Sequence, residues 1–218
     1  KNDYPLIIRY QVANLGEVKL RITARARNES EARNIIKPVK EELKKEFSKF
    51  IFGENDDELS SVLIMELLKR KESLVFAESC TGGLLSSSIT AISGSSQVFK
   101  GGIIAYSNEL KQSLLNIPEK LIEQFGAVSE EVAETMAIKA KERLNSDWSI
   151  AISGIAGPSG GNKSKPVGLV YISISGPNNH VTNIKKIFSS TRNRIEIQRL
   201  SVNLCLNSLR LILLSNSK

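Results

Sequence analysis

Apolar and polar positions along this chain change their period several times, and each change predicts an element. Between residues 15 and 27 the apolar Val18, Leu20, Ile22 and Ala24 alternate with polar or charged neighbours, which is the period of a half-buried strand. The next stretch repeats at helical spacing: Ala32, Ile35, Ile36, Val39, Leu43 and Phe47 share one face, Asn28 or Ser30 can cap it, and Pro38 warns of a bend or break. The polar run Gly53-Glu54-Asn55-Asp56-Asp57 then interrupts the pattern. It predicts a small α+β unit over residues 1–53, a linker over 54–58 and a main domain over 59–218.

In the main domain, Leu59, Val62, Leu63 and Leu67 mark an amphipathic helix, residues 74–77 a buried strand, and Leu84, Leu85, Ile89 and Ile92 a second helix. Residues 101–106 predict another strand, with a helix starting at Ser107-Asn108-Glu109. Pro118 suits the first turn of a short helix, and Ser129 caps one whose opening Glu130 and Glu131 complement the helix dipole. A third strand covers 148–152, a hairpin joins 167–175 to 181–188 around Gly176-Pro177-Asn178-Asn179, and a long helix closes the chain from about Asn193 to Leu214. Helices alternating with strands, plus one hairpin, imply a mixed sheet covered on both faces: an α/β fold in three α/β/α layers.

Composition narrows the class. At 218 residues, 41% hydrophobic and 24% charged, the chain has the make-up of a globular protein and not of a disordered one. Its longest apolar runs near the C-terminus are broken by Asn207, Ser208 and Arg210, too short to span a bilayer, and the start does not resemble a signal peptide. Two cysteines, Cys80 and Cys205, suggest no disulfide framework, so a reducing cytoplasm is the expected location. The formal charge of +7 lies mostly in the first fifty residues, which hold twelve Lys and Arg against seven Asp and Glu. Such a segment could meet nucleic acid, although a solvated basic face is the commoner explanation.

The chemistry concentrates in three turns that each follow a predicted strand: Glu78-Ser79-Cys80-Thr81-Gly82-Gly83, Tyr106-Ser107-Asn108-Glu109-Leu110-Lys111, and Ser153-Gly154-Ile155-Ala156-Gly157-Pro158-Ser159-Gly160-Gly161. Ligands collect where strand carboxyl ends converge in open α/β sheets. Twelve of the fourteen glycines lie after residue 80, and those in the turns expose backbone N–H groups to an oxyanion or phosphate. A small hydroxyl before two glycines at a helix start suits acyl transfer. The single histidine, His180, falls at the hairpin tip, so a serine nucleophile would need a lysine base. Cys80 is the rival nucleophile. One histidine and no tight carboxylate cluster leave few metal ligands, so neither metal nor cofactor is expected.

The words A-E-S-C-T-G-G at 77–83, G-S-S at 94–96, G-G-I-I-A-Y-S-N-E-L-K at 101–111, G-A-V-S-E at 126–130, S-G-I-A-G-P at 153–158 and K-P-V-G at 165–168, in this order, closely resemble the C-terminal domain of the CinA family. That group is the nicotinamide-nucleotide amidases, or nicotinamide mononucleotide deamidases. The resemblance covers about residues 58–215. It implies hydrolysis of the amide of nicotinamide mononucleotide to nicotinate mononucleotide and ammonia, in pyridine-nucleotide salvage. By motif it makes Ser79 the nucleophile, with Tyr106 and Lys111 activating it and relaying protons. It further assigns substrate binding to Glu78, Thr81, Gly82, Gly83, Ser96, Gly101, Asn108, Ser153, Gly154, Gly157 and Arg192, the last on the phosphate. Ser190-Thr191-Arg192 departs from the family's Gly-Asp-Arg or Gly-Asn-Arg, so Arg194 is an alternative.

Residues 1–53 resemble the latter part of a KH-like linker domain that precedes the amidase domain in longer CinA proteins, behind a molybdopterin-binding-like domain. The chain is therefore expected to be a fragment or cleaved product. A KH domain clamps RNA with a G-x-x-G loop, and Gly16 and Gly53 are the only glycines in this segment, so no specific nucleic-acid binding is expected. A homo-oligomer, as a dimer, is the expected assembly, with no membrane partner. Two other readings stand beside the amidase: a non-catalytic nucleotide-binding regulator served by the same glycine turns, and a nucleic-acid-binding module acting through the basic N-terminal segment.

Overall fold

The computed structural model describes residues 6–12 and 15–215, and the chain separates into two compact units, Lys1–Asp57 and Glu58–Lys218. The outer ends of the expected domains, residues 1–5 and 216–218, lie outside the described residues.

In the first unit, β1 (Leu6–Val12) and β2 (Val18–Ala24) form an antiparallel hairpin with α1 (Glu29–Glu46) against β2. β1 is not among the elements predicted above, although Ile8, Tyr10 and Val12 alternate with Arg9 and Gln11. Asn28 caps α1 by accepting the Glu31 N–H at 2.9 Å, and the Glu31 carboxylate accepts the Arg27 N–H in return. The helix continues unbroken through Pro38, where a bend or break was expected. The carbonyl of Asn34, which would have accepted the proline's missing N–H, belongs to an exposed residue and can be hydrated instead. Ala32, Ile35, Ile36, Val39 and Leu43 are half-buried. Val18 and Leu20, expected to be half-buried, are 61% and 45% exposed, although they share a strand face with the half-buried Ile22 and Ala24.

The second unit is built on a five-stranded mixed sheet of β3 (Leu74–Glu78), β4 (Phe99–Ile104), β5 (Trp148–Gly154), β6 (Leu169–Ser175) and β7 (Val181–Ile187), in the order β4-β3-β5-β6-β7. β3 runs parallel to both β4 and β5, while β6 and β7 return antiparallel as a hairpin. On one face lie α2 (Leu59–Arg70), α3 (Leu84–Thr90) and α7 (Arg194–Ser215); on the other, α4 (Asn108–Leu115), α5 (Glu119–Phe125) and α6 (Glu130–Arg143). This is the three-layer α/β/α arrangement. Val75, Ala77 and Ala151 meet Val132, Met136, Ala137 and Ala140 of α6 in a closed core. Pro118 stands at the N-cap of α5 and not within its first turn.

Two parallel crossovers leave the carboxyl ends of β3, β4 and β5 side by side, and the three chemistry-bearing turns leave from those ends. Close packing continues at Gly168 before β6. Its φ is +93°, and a Cβ there would sit 2.2 Å from the Phe188 carbonyl oxygen. Backbone cannot yield as a side-chain tip can, so Gly168→Ala is expected to cost about 2–4 kcal/mol of unfolding free energy, read as a lowered urea midpoint at unchanged slope.

Candidate active site

Strand alternation decides what β3 delivers. Leu74, Phe76 and Glu78 share one face, Val75 and Ala77 the other, so the chain leaving β3 carries Glu78 toward α3 and Ser79 toward α4. The Ser79 N–H donates to the Ile152 carbonyl of β5 at 3.0 Å, which ties the turn to the neighbouring strand.

Opposite it, Ser107 caps α4 by accepting the Leu110 N–H, and one turn later the helix places Lys111 against Ser79. Lys111 is only 2% exposed, an unusual position for a lysine. Its Nζ donates to the Ala105 carbonyl at 3.0 Å and the Tyr106 carbonyl at 3.2 Å, and lies 3.1 Å from Ser79 Oγ. Burial pulls its pKa below the usual lysine value, with Cys80 and Glu109 acting in the opposite direction. Among the contacts described, no carboxylate pairs with this ammonium. A neutral amine fits the same geometry: two N–H groups satisfy the two carbonyls and the lone pair faces the serine hydroxyl.

Ser79 and Lys111 form part of a cleft of about 250 Å³ whose lining also includes Tyr106, Asn108, Ser153, Gly154, Gly157 and Arg194. Two loops shape its walls. The Ser153 hydroxyl donates to the Ala127 carbonyl at 2.7 Å and Lys165 Nζ donates to the Phe125 carbonyl at 2.5 Å, which hold the Ala127-Val128 wall. Across from it, Gly154 to Gly160 form the second wall, where a Cβ on Gly154 would meet Val170 at 2.8 Å. Ser153 thus lines the cleft while its hydroxyl serves the loop.

Other expected site residues lie elsewhere. Glu78 is fully buried and turned away from the cleft: its carboxylate accepts N–H bonds from Gly83, Leu85 and Ser86 at 3.0, 3.0 and 2.8 Å, and the Ser86 hydroxyl at 2.6 Å. The Gly83 N–H expected to meet an oxyanion is therefore spent on Glu78, and that of Gly82 on the Ser79 carbonyl at 3.1 Å. Thr81 is buried behind the turn, its Oγ1 without a partner. Gly101 and Ser96 do not line the cleft: Gly101 is on the edge strand β4, and Ser96 in the helical turn Ser95–Gln97 before that strand.

Arg192 is also outside the cleft, held in an ion pair with Glu196 at 3.2 Å. Arg194 takes the inward position. Its guanidinium donates to the Gly157 carbonyl at 2.8 Å and to the Tyr106 hydroxyl at 2.7 Å. The Tyr106 phenol, 55% exposed, thus engages Arg194 across the cleft, and only its backbone carbonyl touches Lys111. Cys80 is an unfavourable nucleophile, since burial pushes its thiol up to about 12. Sequence reasoning gave no role to Ala127, Val128 or Ser159, although the G-A-V-S-E word at 126–130 marked the first wall.

A family model for the CinA C-terminal domain matches residues 56–213, and one for the damage-inducible protein CinA KH domain matches 11–53. The chain belongs to the CinA family. A "CinA-like protein" of Prochlorococcus marinus subsp. pastoris is 86% identical over 206 residues, covering 94% of this chain and 48% of that protein. Another, from a more distant strain of the same species, is 50% identical over 216 residues, covering 99% and 50%. The chain spans about half the length of the curated relatives it matches. Among solved structures, the competence/damage inducible protein CihA from Agrobacterium tumefaciens superposes with a TM-score of 0.70 at 34% identity, covering 74% of this chain and 98% of that one. A competence or damage-inducible protein from Enterobacter asburiae gives 0.68 at 31% identity, covering 72% and 96%. No helix among the described residues is long and apolar enough to cross a membrane.

Proposed function

We propose that this CinA-family chain hydrolyses the carboxamide of nicotinamide mononucleotide, giving nicotinate mononucleotide and ammonia, with Ser79 as nucleophile and Lys111 as its base. The observation that carries the reading is the buried Lys111 Nζ at 3.1 Å from Ser79 Oγ, with burial favouring the neutral amine. A serine hydroxyl is a poor nucleophile at neutral pH unless a base takes its proton.

In the proposed reaction Ser79 Oγ attacks the amide carbon while its proton passes to Lys111. The tetrahedral adduct then expels ammonia, which leaves with the proton returned by Lys111. Water, deprotonated by the same amine, cleaves the acyl ester and regenerates Ser79. Because Gly82 and Gly83 are engaged, the developing oxyanion falls to the N–H of Cys80, which lines the cleft and donates to no backbone carbonyl among the described residues. Arg194 and the Gly154 to Gly160 loop would receive the phosphate. The Tyr106 phenol then orients Arg194 and is not a proton relay to Lys111.

Incubating the purified chain with nicotinamide mononucleotide and following ammonia tests the assignment; binding without turnover would favour a nucleotide-binding regulator. Removing a charge-assisted contact costs roughly 1.5–3 kcal/mol, a factor of about 10–100. Arg194→Ala is accordingly expected to raise KM by that factor with kcat changed only a few-fold, whereas Arg192→Ala leaves both within about twofold. Steady-state kinetics on the two variants checks which arginine serves the substrate.

A further inference from the structure

We infer that Glu78 is a positioning residue for the Ser79–Lys111 pair, acting as an internal anion that locks the turn carrying the nucleophile onto the start of α3. Its carboxylate is fully buried and accepts four hydrogen bonds, from the backbone of Gly83, Leu85 and Ser86 and from the Ser86 hydroxyl. Those donors are the orphan N–H groups of the helix start, and a carboxylate complements them in both hydrogen bonding and charge. Glu78 is the last residue of β3, fixed between β4 and β5, so the bonds clamp both ends of the segment 79–83.

The clamp has a direct bearing on Ser79. The segment between the two anchors is only five residues long. The other main-chain bonds described for it run from Ser79 N–H to the Ile152 carbonyl, Gly82 N–H to the Ser79 carbonyl, Leu84 N–H to the Thr81 carbonyl, Ser87 N–H to the Gly83 carbonyl and Gln198 Nε2 of α7 to the Cys80 carbonyl. Lys111 reaches Ser79 from the opposite layer through α4, so the 3.1 Å separation depends on where the turn is held relative to α4. A misplacement of about 1 Å can cost roughly 100-fold in rate. Glu78 touches neither the cleft nor Lys111, and its charge is not among the causes that shift the lysine.

Glutamine at 78 keeps the shape but would present an amide N–H₂ to N–H donors on one side. The inference rests on Ser79 as nucleophile, not on the identity of the amide. The test therefore uses a fluorophosphonate, whose phosphorus is attacked by Ser79 Oγ: a P–O bond forms, the P–F bond breaks, fluoride leaves, and the serine proton passes to Lys111. Labelling is followed by intact mass as a function of pH, alongside melting temperature and nicotinamide mononucleotide affinity.

Glu78→Gln is expected to label about 100-fold more slowly, with nucleotide affinity within about twofold and the pH midpoint of labelling unmoved. Ser86→Ala, which removes one of the four bonds, is expected to slow labelling about 5-fold, and it decides the matter if Glu78→Gln does not fold. Labelling of both variants at the wild-type rate would overturn the inference, as would a displaced pH midpoint, which would make Glu78 a charge acting on Lys111. Wild-type protein labelled at Ser79 yet inert toward nicotinamide mononucleotide would overturn the substrate assignment and leave the comparison of variants standing. Wild-type protein that resists labelling would overturn both.

Discussion

Lys111→Arg is expected to lower kcat for nicotinamide mononucleotide deamidation by at least about 1,000-fold, within the range that general-base removal produces. Arginine keeps a positive charge but cannot give up its proton, so any purely electrostatic role of Lys111 would survive the change while a role as base would not. Because Lys111 is almost fully buried, the bulkier guanidinium can also strain the site. Lys111→Met supplies the control, since it keeps a similar stem and no base. Both variants should lose turnover while nucleotide affinity, proposed to depend on Arg194 and the Gly154 to Gly160 loop, stays within a few-fold. Near-normal kcat in either variant would remove Lys111 from the base role.

The second large effect is on Ser79 itself. Ser79→Ala removes the hydroxyl proposed to form the acyl ester, so turnover should fall to background with binding nearly unchanged. The double variant Ser79→Ala/Lys111→Met should be no worse than either single change, because a nucleophile and its base act as one unit. Kinetics on the single and double variants, with affinity measured calorimetrically, checks this. Additive losses would mean that the two residues contribute separately, with another base serving Ser79.

The α/β/α layering was legible because each strand of the main unit is bounded by a change of period, as at residues 74–77, where an apolar run meets small polar residues. β1 was not, although Ile8, Tyr10 and Val12 alternate with Arg9 and Gln11; the alternation is short, and all three apolar side chains are exposed. The pairing of Ser79 with Lys111 could be expected from motif order. The partners of Glu78, Tyr106 and Arg194 could not. Glu78 faces α3 because of strand parity, and a one-residue change in the register of β3 exchanges which of residues 78 and 79 points to the cleft. Tyr106 and Arg194 are 88 positions apart, and their hydrogen bond depends on the sheet order and on the start of α7. Arg192 and Arg194 are alike in composition. They differ only in phase at that start, where Arg192 is spaced to reach Glu196 and Arg194 is the first helical residue.

If a neutral, buried lysine deprotonates Ser79, the most direct test is ammonia release from nicotinamide mononucleotide as a function of pH. Burial lowers the Lys111 pKa in the folded protein, so the neutral, active fraction grows as pH rises through a midpoint below the unperturbed lysine value. The expected result is a kcat that climbs with pH through one ionisation in that window, with no such limb in Lys111→Arg. A rate that does not change across the window, or a limb that persists in Lys111→Arg, would contradict the role of Lys111 as base.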